Sequence, residues 1–245
     1  RGPCLPATRR PTMLGPMAAL PLPKDVFLDV FRSAATRELA PGEVLVSAGQ
    51  PADQVFNIES GMLMLYRNGS DGRRQVLSFL FRDNFVGLSA TDSYFFSVEA
   101  VTRARVAVCP RRVLNERLAG DPVAERAFLN MVFRVLEDIL DIVYSLGQRT
   151  ASERLAVFLL YMRHWQRLTD GIADDADPRL ATIALPMGRA DVADFLGLKK
   201  ETVIRSLREL QDQGLVRRLD PHAVRILDLP RLRALAGISD FASPR

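Results

Sequence analysis

The sequence predicts an α+β chain in which an antiparallel β-domain is followed by one long helix and then by a small, mostly helical domain. Three observations lead to this fold class. Short strand patterns alternate with Gly-rich turns between residues 44 and 109, and an amphipathic pattern runs unbroken from Pro122 to Gly147. Finally, two short helical patterns flank a tight turn at Leu196-Gly197-Leu198. We place the β-domain at 24–119, the long helix at 120–147 and the last domain at 148–237.

The two ends of the chain are expected to lie outside these domains. Residues 1–23 contain six of the fifteen prolines, which prevents a helix or a packed core there. We expect this segment to be disordered and 238–245 to be a short tail. Arg9-Arg10 faintly resembles the start of an export signal, but prolines interrupt the apolar stretch that follows.

Composition limits the classes of function. The chain has 245 residues, of which 48% are hydrophobic and 25% charged, as in ordinary soluble proteins with two cores. No apolar run reaches the ~18–20 residues of a membrane span, so we expect a cytoplasmic protein without a membrane partner. Two cysteines and two histidines leave little for a disulfide framework or a zinc site. We find no nucleophile–base pattern and no phosphate loop, so an enzyme is not expected.

The β-domain is predicted from regularly spaced turn signals, such as Pro41-Gly42, Ser60-Gly61 and Asn68–Gly72. A short helix, Phe27–Ala35, precedes them. Many short antiparallel strands joined by Gly-rich turns are typical of a sandwich or barrel. The predicted strands are Val44–Val46, Gln54–Glu59, Met62–Tyr66, Arg74–Phe81, Phe95–Ala100 and Arg105–Cys109.

The long helix carries two neighbouring apolar stripes with heptad-like spacing. One stripe can pack on the β-domain, and the other needs a further partner, for which a second copy of the helix is the obvious choice. Alternatively, two domains of one chain enclose the helix. The pattern leaves open which stripe faces which partner. We assign the first stripe to a homodimer interface, formed by Phe128, Val132, Val135, Ile139, Ile142 and Leu146. The second stripe comprises Leu129, Phe133, Leu136, Leu140 and Val143.

The last domain contains a helix-turn-helix pattern. A helix over Thr150–Arg167 opens the domain, and the apolar residues of the next two helices recur at helical spacing on one face. Gly214 is placed to end the second of these helices, at about Lys199–Gln213. A hairpin of Leu215–Leu219 and Ala223–Leu227 and a final turn of helix at 230–236 follow. The stretch 196–218 holds six Lys or Arg and three Asp or Glu, a local basic excess suited to binding phosphates.

The residues of this motif resemble the Crp/Fnr family of bacterial transcription regulators, in particular its Fnr/FixK branch. The residues that match in register are Leu185-Pro186-Met187, Arg189, Asp191, Leu196-Gly197-Leu198, Glu201-Thr202 and Arg205. The resemblance extends from about Pro41 to Gly237. It implies an N-terminal double-stranded β-roll of the cyclic-nucleotide-binding type, a winged helix-turn-helix that binds double-stranded DNA, and half-sites with a TGA core. RNA polymerase is an expected partner if the protein activates transcription.

Nine residues are candidates for DNA contacts. Arg205 can bond guanine O6 and N7, and Glu201 can accept from a cytosine amino group; as an alternative, the two form an i, i+4 ion pair on a solvated face. The base-reading set is Lys200, Glu201, Ile204 and Arg205, and the phosphate-contacting set is Gly188, Arg189, Lys199, Thr202 and Arg208. Arg217 and Arg218 are either phosphate contacts or solvated charges.

Two of these residues depart from the family pattern. Lys199 stands where the family usually has a Thr or Ser cap, and a lysine opposes the helix dipole at an N-terminus. We therefore expect Lys199 to contact a phosphate or a base edge. Ile204 replaces a Ser of the Fnr branch, and we hypothesise contact with a thymine methyl group. The alternative is that Ile204 folds back on its helix and reads no base.

The sequence also predicts a β-roll without a bound cofactor. An iron–sulfur cluster of the Fnr type needs four cysteines, and this chain has only Cys4 and Cys109. The Glu and Arg that hold cAMP in the family are missing from the corresponding stretch, 84–97. Haem stays open, with Cys109 as the ligand, although the simpler interpretation is that Cys109 is a small buried apolar residue. Some FixK-like members bind DNA without a ligand, which fits this chain best.

Two other classes of function compete with a sequence-specific regulator. A β-roll alone would suit a regulatory module of an enzyme or a channel, but the helix-turn-helix pattern argues against this class. A non-specific architectural DNA-binding protein is the second, and equal affinity for scrambled DNA would favour it.

Overall fold

Two facing antiparallel sheets make up the N-terminal part of the computed structural model, which describes residues 26–238. The strands are β1 (Ala35–Leu39), β2 (Val44–Val46), β3 (Gln54–Ser60), β4 (Leu63–Asn68), β5 (Arg74–Leu80), β6 (Phe85–Val86), β7 (Ser97–Ala100) and β8 (Ala104–Pro110). Strand order is β1-β8-β3-β6 in the first sheet and β2-β7-β4-β5 in the second. The segment 1–23, Cys4 and the tail beyond residue 238, for which expectations were stated above, lie outside the described residues.

The strands predicted from the sequence are confirmed, with each end within two residues of its expected place. The helix predicted at Phe27–Ala35 is correct only in its first part: a 3-10 helix covers Val26–Phe31, and β1 begins at Ala35. Ala35 pairs with Val108 of β8. Because most of β1 is exposed, this edge strand lacks the apolar alternation that identifies a strand in a sequence, and backbone pairing holds it.

Both faces of each sheet are covered by apolar side chains. The space between the sheets is filled by residues such as Phe56, Leu63, Tyr94 and Val98.

Gly61, at the β3–β4 turn, has a φ of 86°, and a Cβ atom there would overlap the Arg103 carbonyl. Only glycine fits this turn, which packs against the start of β8 at Ala104.

Two helices follow the sheets and cover the first of them. Helix α1 (Arg111–Gly120), which the sequence patterns did not predict, is followed by α2 (Pro122–Gln148), which confirms the predicted long helix. The Asp121 carboxylate caps α2 by accepting from the backbone N–H of Val123 at 2.9 Å. The 3-10 helix, α1 and the first half of α2 pack on the outer face of this sheet around Phe27, Val55, Cys109, Leu114 and Met131.

The C-terminal domain is a small helical unit with a hairpin. Its elements are α3 (Ala151–Thr169), β9 (Thr182–Ala184), α4 (Arg189–Leu196), α5 (Lys200–Asp212), β10 (Val216–Asp220), β11 (Ala223–Ile226) and α6 (Leu229–Leu235). A capping box of Thr150 and Glu153 starts α3. The sheet order is β10-β11-β9, so the predicted hairpin is confirmed and gains a third strand. Within residues 26–238, no helix combines the length and apolar composition needed to cross a membrane.

Candidate nucleic-acid interface

The helix-turn-helix consists of α4, a tight turn and α5. Gly197 ends α4 in the left-handed region with a φ of 62°, where glycine carries no steric penalty. The predicted inner faces are confirmed, because Val192, Phe195, Leu196, Val203, Leu207 and Leu210 are all buried. One face of α5 is therefore fixed in the core, and the opposite face is turned outward.

The residues predicted to read bases lie on that outward face. Lys200, Glu201, Ile204 and Arg205 are all exposed, and Ile204 leaves 44% of its surface in solvent. A single exposed apolar side chain is common on protein surfaces, so the contact of Ile204 with a thymine methyl group stays a prediction. Of the residues predicted to contact phosphates, Lys199 and Arg208 are exposed, and Thr202 is half-buried.

Arg205 forms only a loose ion pair within the chain. Its Nε lies 3.9 Å from Glu209 Oε1, and its side chain is 70% exposed. The alternative pairing with Glu201 does not occur among the ion pairs of the described residues. A surface pair of this kind contributes about 0–1 kcal/mol, so its loss on binding costs little. Glu209 also accepts a hydrogen bond from Ser152 of α3, which holds α5 against α3.

Lys199 occupies the N-cap of α5 without a capping hydrogen bond from its side chain. Its backbone carbonyl accepts from Thr202 N at 2.9 Å and Val203 N at 3.1 Å. The helix start thus carries an exposed ammonium group where the dipole favours an anion. A phosphate bound at the start of α5 would offset the unfavourable interaction between the Lys199 ammonium group and the helix dipole.

Basic residues also meet at the start of α4 and on the hairpin. Arg189 is half-buried, and its pKa is lowered first by burial and then by the charge of Arg218. In the hairpin Arg217 stands directly opposite Arg225, and like charges in that relation are destabilising. The sequence interpretation missed Arg225, although its place between Val224 and Ile226 in a strand marks it as outward-facing. An anion such as a phosphate would offset both repulsions.

The backbone amide of Gly188, a predicted phosphate contact, has a partner within the chain. Its N–H donates to Asp191 Oδ2 at 2.9 Å, so the donor is already engaged at the N-terminus of α4. The carboxylate occupies the place where an anion would bind. A phosphate bound by the Gly188 amide would have to compete with this carboxylate, and the phosphate contacts of Gly188 and Arg189 both stay predictions.

The stretch that would hold a cyclic nucleotide is packed by this chain's own side chains. Tyr94 and Phe96 are buried between the sheets, and the Tyr94 hydroxyl donates to Gln54 O at 2.6 Å. On the outside, Arg111 Nη2 donates to Ser89 O at 2.6 Å. Cys109 lies in the other core, between the first sheet and the helices, and burial raises the pKa of its thiol. It does not point into the space between the sheets.

Helix α2 presents different surfaces along its two apolar stripes. In the first stripe, Phe128 and Val132 pack against their own β-domain, whereas Val135 and Ile139 are 41% and 49% exposed. Leu146 packs against the helix-turn-helix turn, where its Cδ2 would lie 3.2 Å from a Cβ at Gly197. The second stripe is exposed along its whole length: Leu129 46%, Phe133 59%, Leu136 51%, Leu140 58% and Val143 60%.

The opposite side of α2 explains which stripe is left outside. Ala124, Met131 and Ser145 are buried there, with Asp138 in the same row. Burial, and then the charges of Asp141 and Glu137, raises the pKa of Asp138 to about 8. This row of α2 therefore packs on the chain's own domains and leaves the second stripe facing outward.

Comparisons with known proteins match both parts of the chain. The model of the Crp-like helix-turn-helix domain matches residues 153–235, and that of the cyclic nucleotide-binding domain matches 36–130. The transcriptional activatory protein AadR of Rhodopseudomonas palustris is 33% identical over 196 residues, which cover 80% of this chain and 79% of AadR. The nitrogen fixation regulation protein FixK of Azorhizobium caulinodans is 30% identical over 233 residues, which cover 89% of this chain and 92% of FixK. The structure of FixK2 from Bradyrhizobium japonicum is similar with a TM-score of 0.72 at 29% identity, and the match covers 86% of this chain and 99% of FixK2.

Proposed function

Because this chain belongs to the Crp/Fnr family of DNA-binding transcription regulators, we propose that it binds a palindromic DNA site as a homodimer, with half-sites that share a TGA core. The observation that supports this most strongly is the exposed face of α5. Lys200, Glu201, Ile204 and Arg205 project from one helix whose other side is locked in the core. A helix of this kind fits a major groove, where arginine and glutamate distinguish guanine and cytosine.

The homodimer is formed through α2. Five large apolar side chains in a row, each about half exposed, make a patch that a soluble protein rarely leaves in water. Their 4, 3, 4, 3 spacing is that of a helix seam that packs on another helix. We therefore assign the centre of the interface to the second stripe and place Val135 and Ile139 of the first stripe at its margin. Phe128 and Val132 leave the interface, because they pack on their own β-domain.

Two such chains place two reading helices on one DNA duplex. A two-fold dimer requires a palindromic site, with half-sites about one helical turn, ~34 Å, apart. The regulator would act in the cytoplasm, and it would contact RNA polymerase at promoters that it activates. AadR is a transcriptional activatory protein by name, and activation is the corresponding proposal for this chain.

DNA binding is proposed to need no cyclic nucleotide, iron–sulfur cluster or haem. The two cysteines of the chain are too few for a cluster with four thiolate ligands. The cAMP-binding Glu and Arg are missing, and Tyr94 and Phe96 pack between the sheets. Cys109 lies outside that space, which makes it poorly placed as a ligand to haem. Any effector of another kind would act by shifting the helices between two arrangements.

The test is fluorescence anisotropy of the purified protein, without added ligand, on a TTGA–TCAA palindrome and on a scrambled duplex. We expect tight binding to the palindrome and at least about 1000-fold weaker binding to the scrambled duplex, the lower end for specific regulators. Equal, salt-sensitive affinity for both duplexes would favour non-specific binding instead. Absence of DNA affinity at low salt would favour a regulatory module without DNA contact.

Replacement of Lys199 by alanine is expected to weaken binding to the palindrome and to the scrambled duplex by a similar factor. The reason is the loss of one phosphate contact in each protomer, which lowers the slope of log affinity against log salt by about 1 per contact. The measurement is a salt titration of wild type and variant on both duplexes. Asp212→Ala, an exposed substitution near the far end of α5, is the control, and an unchanged slope for Lys199→Ala would contradict the assignment.

A further inference from the structure

The DNA-binding domain shares a core with the β-roll of the same chain. Strands β4 and β5 are apolar on both faces, and their outer face packs on α3 and α4. The rings of Phe81 and Trp165 stack at 4.5 Å, and Phe79 lies 5.3 Å from Phe195. Apolar contacts of this kind hold two bodies together but tolerate small rotations, because the hydrophobic effect is not directional.

Polar contacts across this interface fix the rotation. Arg74 of β5 donates from Nη2 to Asp191 Oδ1 at 2.5 Å and from Nε to Asp194 Oδ2 at 2.8 Å. Its guanidinium also lies 5.6 Å from the centre of the Tyr66 ring. Although burial alone would lower it, the pKa of Arg74 is raised by the hydrogen bonds to both carboxylates. A planar guanidinium held by three groups has one orientation.

The two carboxylates on α4 are hard to explain without Arg74. Asp191 and Asp194 stand three residues apart on one helix face, where like charges repel. They also belong to the domain that must approach DNA phosphates. Asp191 in addition caps α4 through Gly188 N. A single cation on β5 therefore pairs with both carboxylates, offsets part of their charge and holds the helix-turn-helix by its first helix.

We propose that Arg74 is a positioning residue for DNA recognition: through Asp191 and Asp194 it fixes the angle of the helix-turn-helix on the β-roll. This inference rests on the proposed function. In the homodimer the β-roll is tied to the two-fold axis through α2, so this angle sets the separation of the two reading helices. Arg74 contacts no base, and its effect is a preference for one spacing between half-sites.

The test compares Arg74→Gln with wild type on palindromes whose half-sites are one or two base pairs closer together or further apart. Each base pair moves a half-site by about 3.4 Å. We expect Arg74→Gln to lower affinity at the preferred spacing about tenfold and to reduce the preference over the other spacings by a similar factor. Arg73→Gln is the matched control, because Arg73 is 89% exposed and bonds Asp71 alone among the ion pairs of the described residues. It should behave as wild type.

Asp194→Asn gives a second, independent variant that spares the cap on α4. If Arg74 acts through Asp194, the effects of the single substitutions on spacing preference will not add in the double variant. Thermal melting of each variant identifies loss of folding, and a folded Asp194→Asn with relaxed spacing supports the proposal.

Two results would overturn the inference. One is an unchanged spacing preference in both variants. The other is an equal loss of affinity for every duplex, including the scrambled one, which would mean that Arg74 affects binding only through its positive charge. Failure of the proposed function looks different, because wild type itself would then show no preference for the palindrome at any spacing.

Discussion

Replacement of Arg205 by alanine is expected to lower affinity for the palindrome by at least about 30-fold and to leave affinity for the scrambled duplex nearly unchanged. A bidentate arginine–guanine contact supplies ~1–3 kcal/mol of discrimination, and the dimer makes it twice. The Arg205 side chain is 70% exposed, and among the ion pairs of the described residues it forms one loose contact, at 3.9 Å from Glu209. The loss therefore falls on base recognition rather than on folding.

Arg208→Ala is the matched control for this prediction. Arg208 is an exposed arginine on the same helix, one turn further on, and is assigned to phosphate. Its loss should weaken binding to both duplexes equally and lower the salt slope by about 1 per contact. The measurement is anisotropy on the palindrome, on the scrambled duplex and on palindromes with single substitutions in the TGA core. An Arg205→Ala variant that weakens all of these duplexes alike would show that Arg205 contacts phosphate.

The helix-turn-helix could be predicted closely because its signals are local. The inner face of α5 follows from helical spacing, and the turn follows from Gly197. Each signal lies within a few residues of the structure that it determines. The engagement of Gly188 N by Asp191 could not be foreseen from motif positions, because it depends on which of two anions, the carboxylate or a phosphate, reaches the helix start.

The faces of α2 show the limit of periodicity. Both apolar stripes have the same spacing, so the pattern predicts two contacts without saying which is internal. That choice depends on Met131 and Ser145, which face the chain's own domains and turn Leu136 and Leu140 away from them.

The β4–β5 hairpin carries a sequence signal for its contact with the C-terminal domain. An unbroken apolar run at 62–66 indicates burial on both faces, and hence a second body packed on the sheet.

The contact between Arg74 and Asp191 could not be predicted from local sequence patterns. The two residues lie 117 positions apart, and each is an ordinary charged residue in its local context. Only the packing of α4 on β5 brings them together. Pairs of this type connect domains, and local sequence patterns do not indicate which residues form them.

Replacement of Leu140 by glutamate is expected to convert the dimer to a monomer at concentrations where wild type is dimeric. Leu140 is 58% exposed in the second stripe, so the substitution costs the isolated chain little. In the dimer it removes two buried leucines, about 3–6 kcal/mol in total, which raises the dissociation constant at least about 100-fold. Sedimentation velocity measures the change. Asn130→Glu, which adds the same charge at an exposed polar position of α2, should remain dimeric.

The same variant connects assembly to recognition. A monomer still presents one intact α5, so Leu140→Glu should bind a single half-site as wild type does but lose the gain in affinity that the second half-site provides. Ile139→Glu distinguishes the two stripes, because Ile139 is exposed to a similar extent, 49%, but belongs to the first. If Ile139→Glu abolished the dimer and Leu140→Glu left it intact, the interface would be centred on the first stripe. If only Leu140→Glu abolished the dimer, the interface would be centred on the second stripe, on the side of α2 opposite Met131. Each α2 could then pack on its own β-roll through one side and on the α2 of the other protomer through the opposite side.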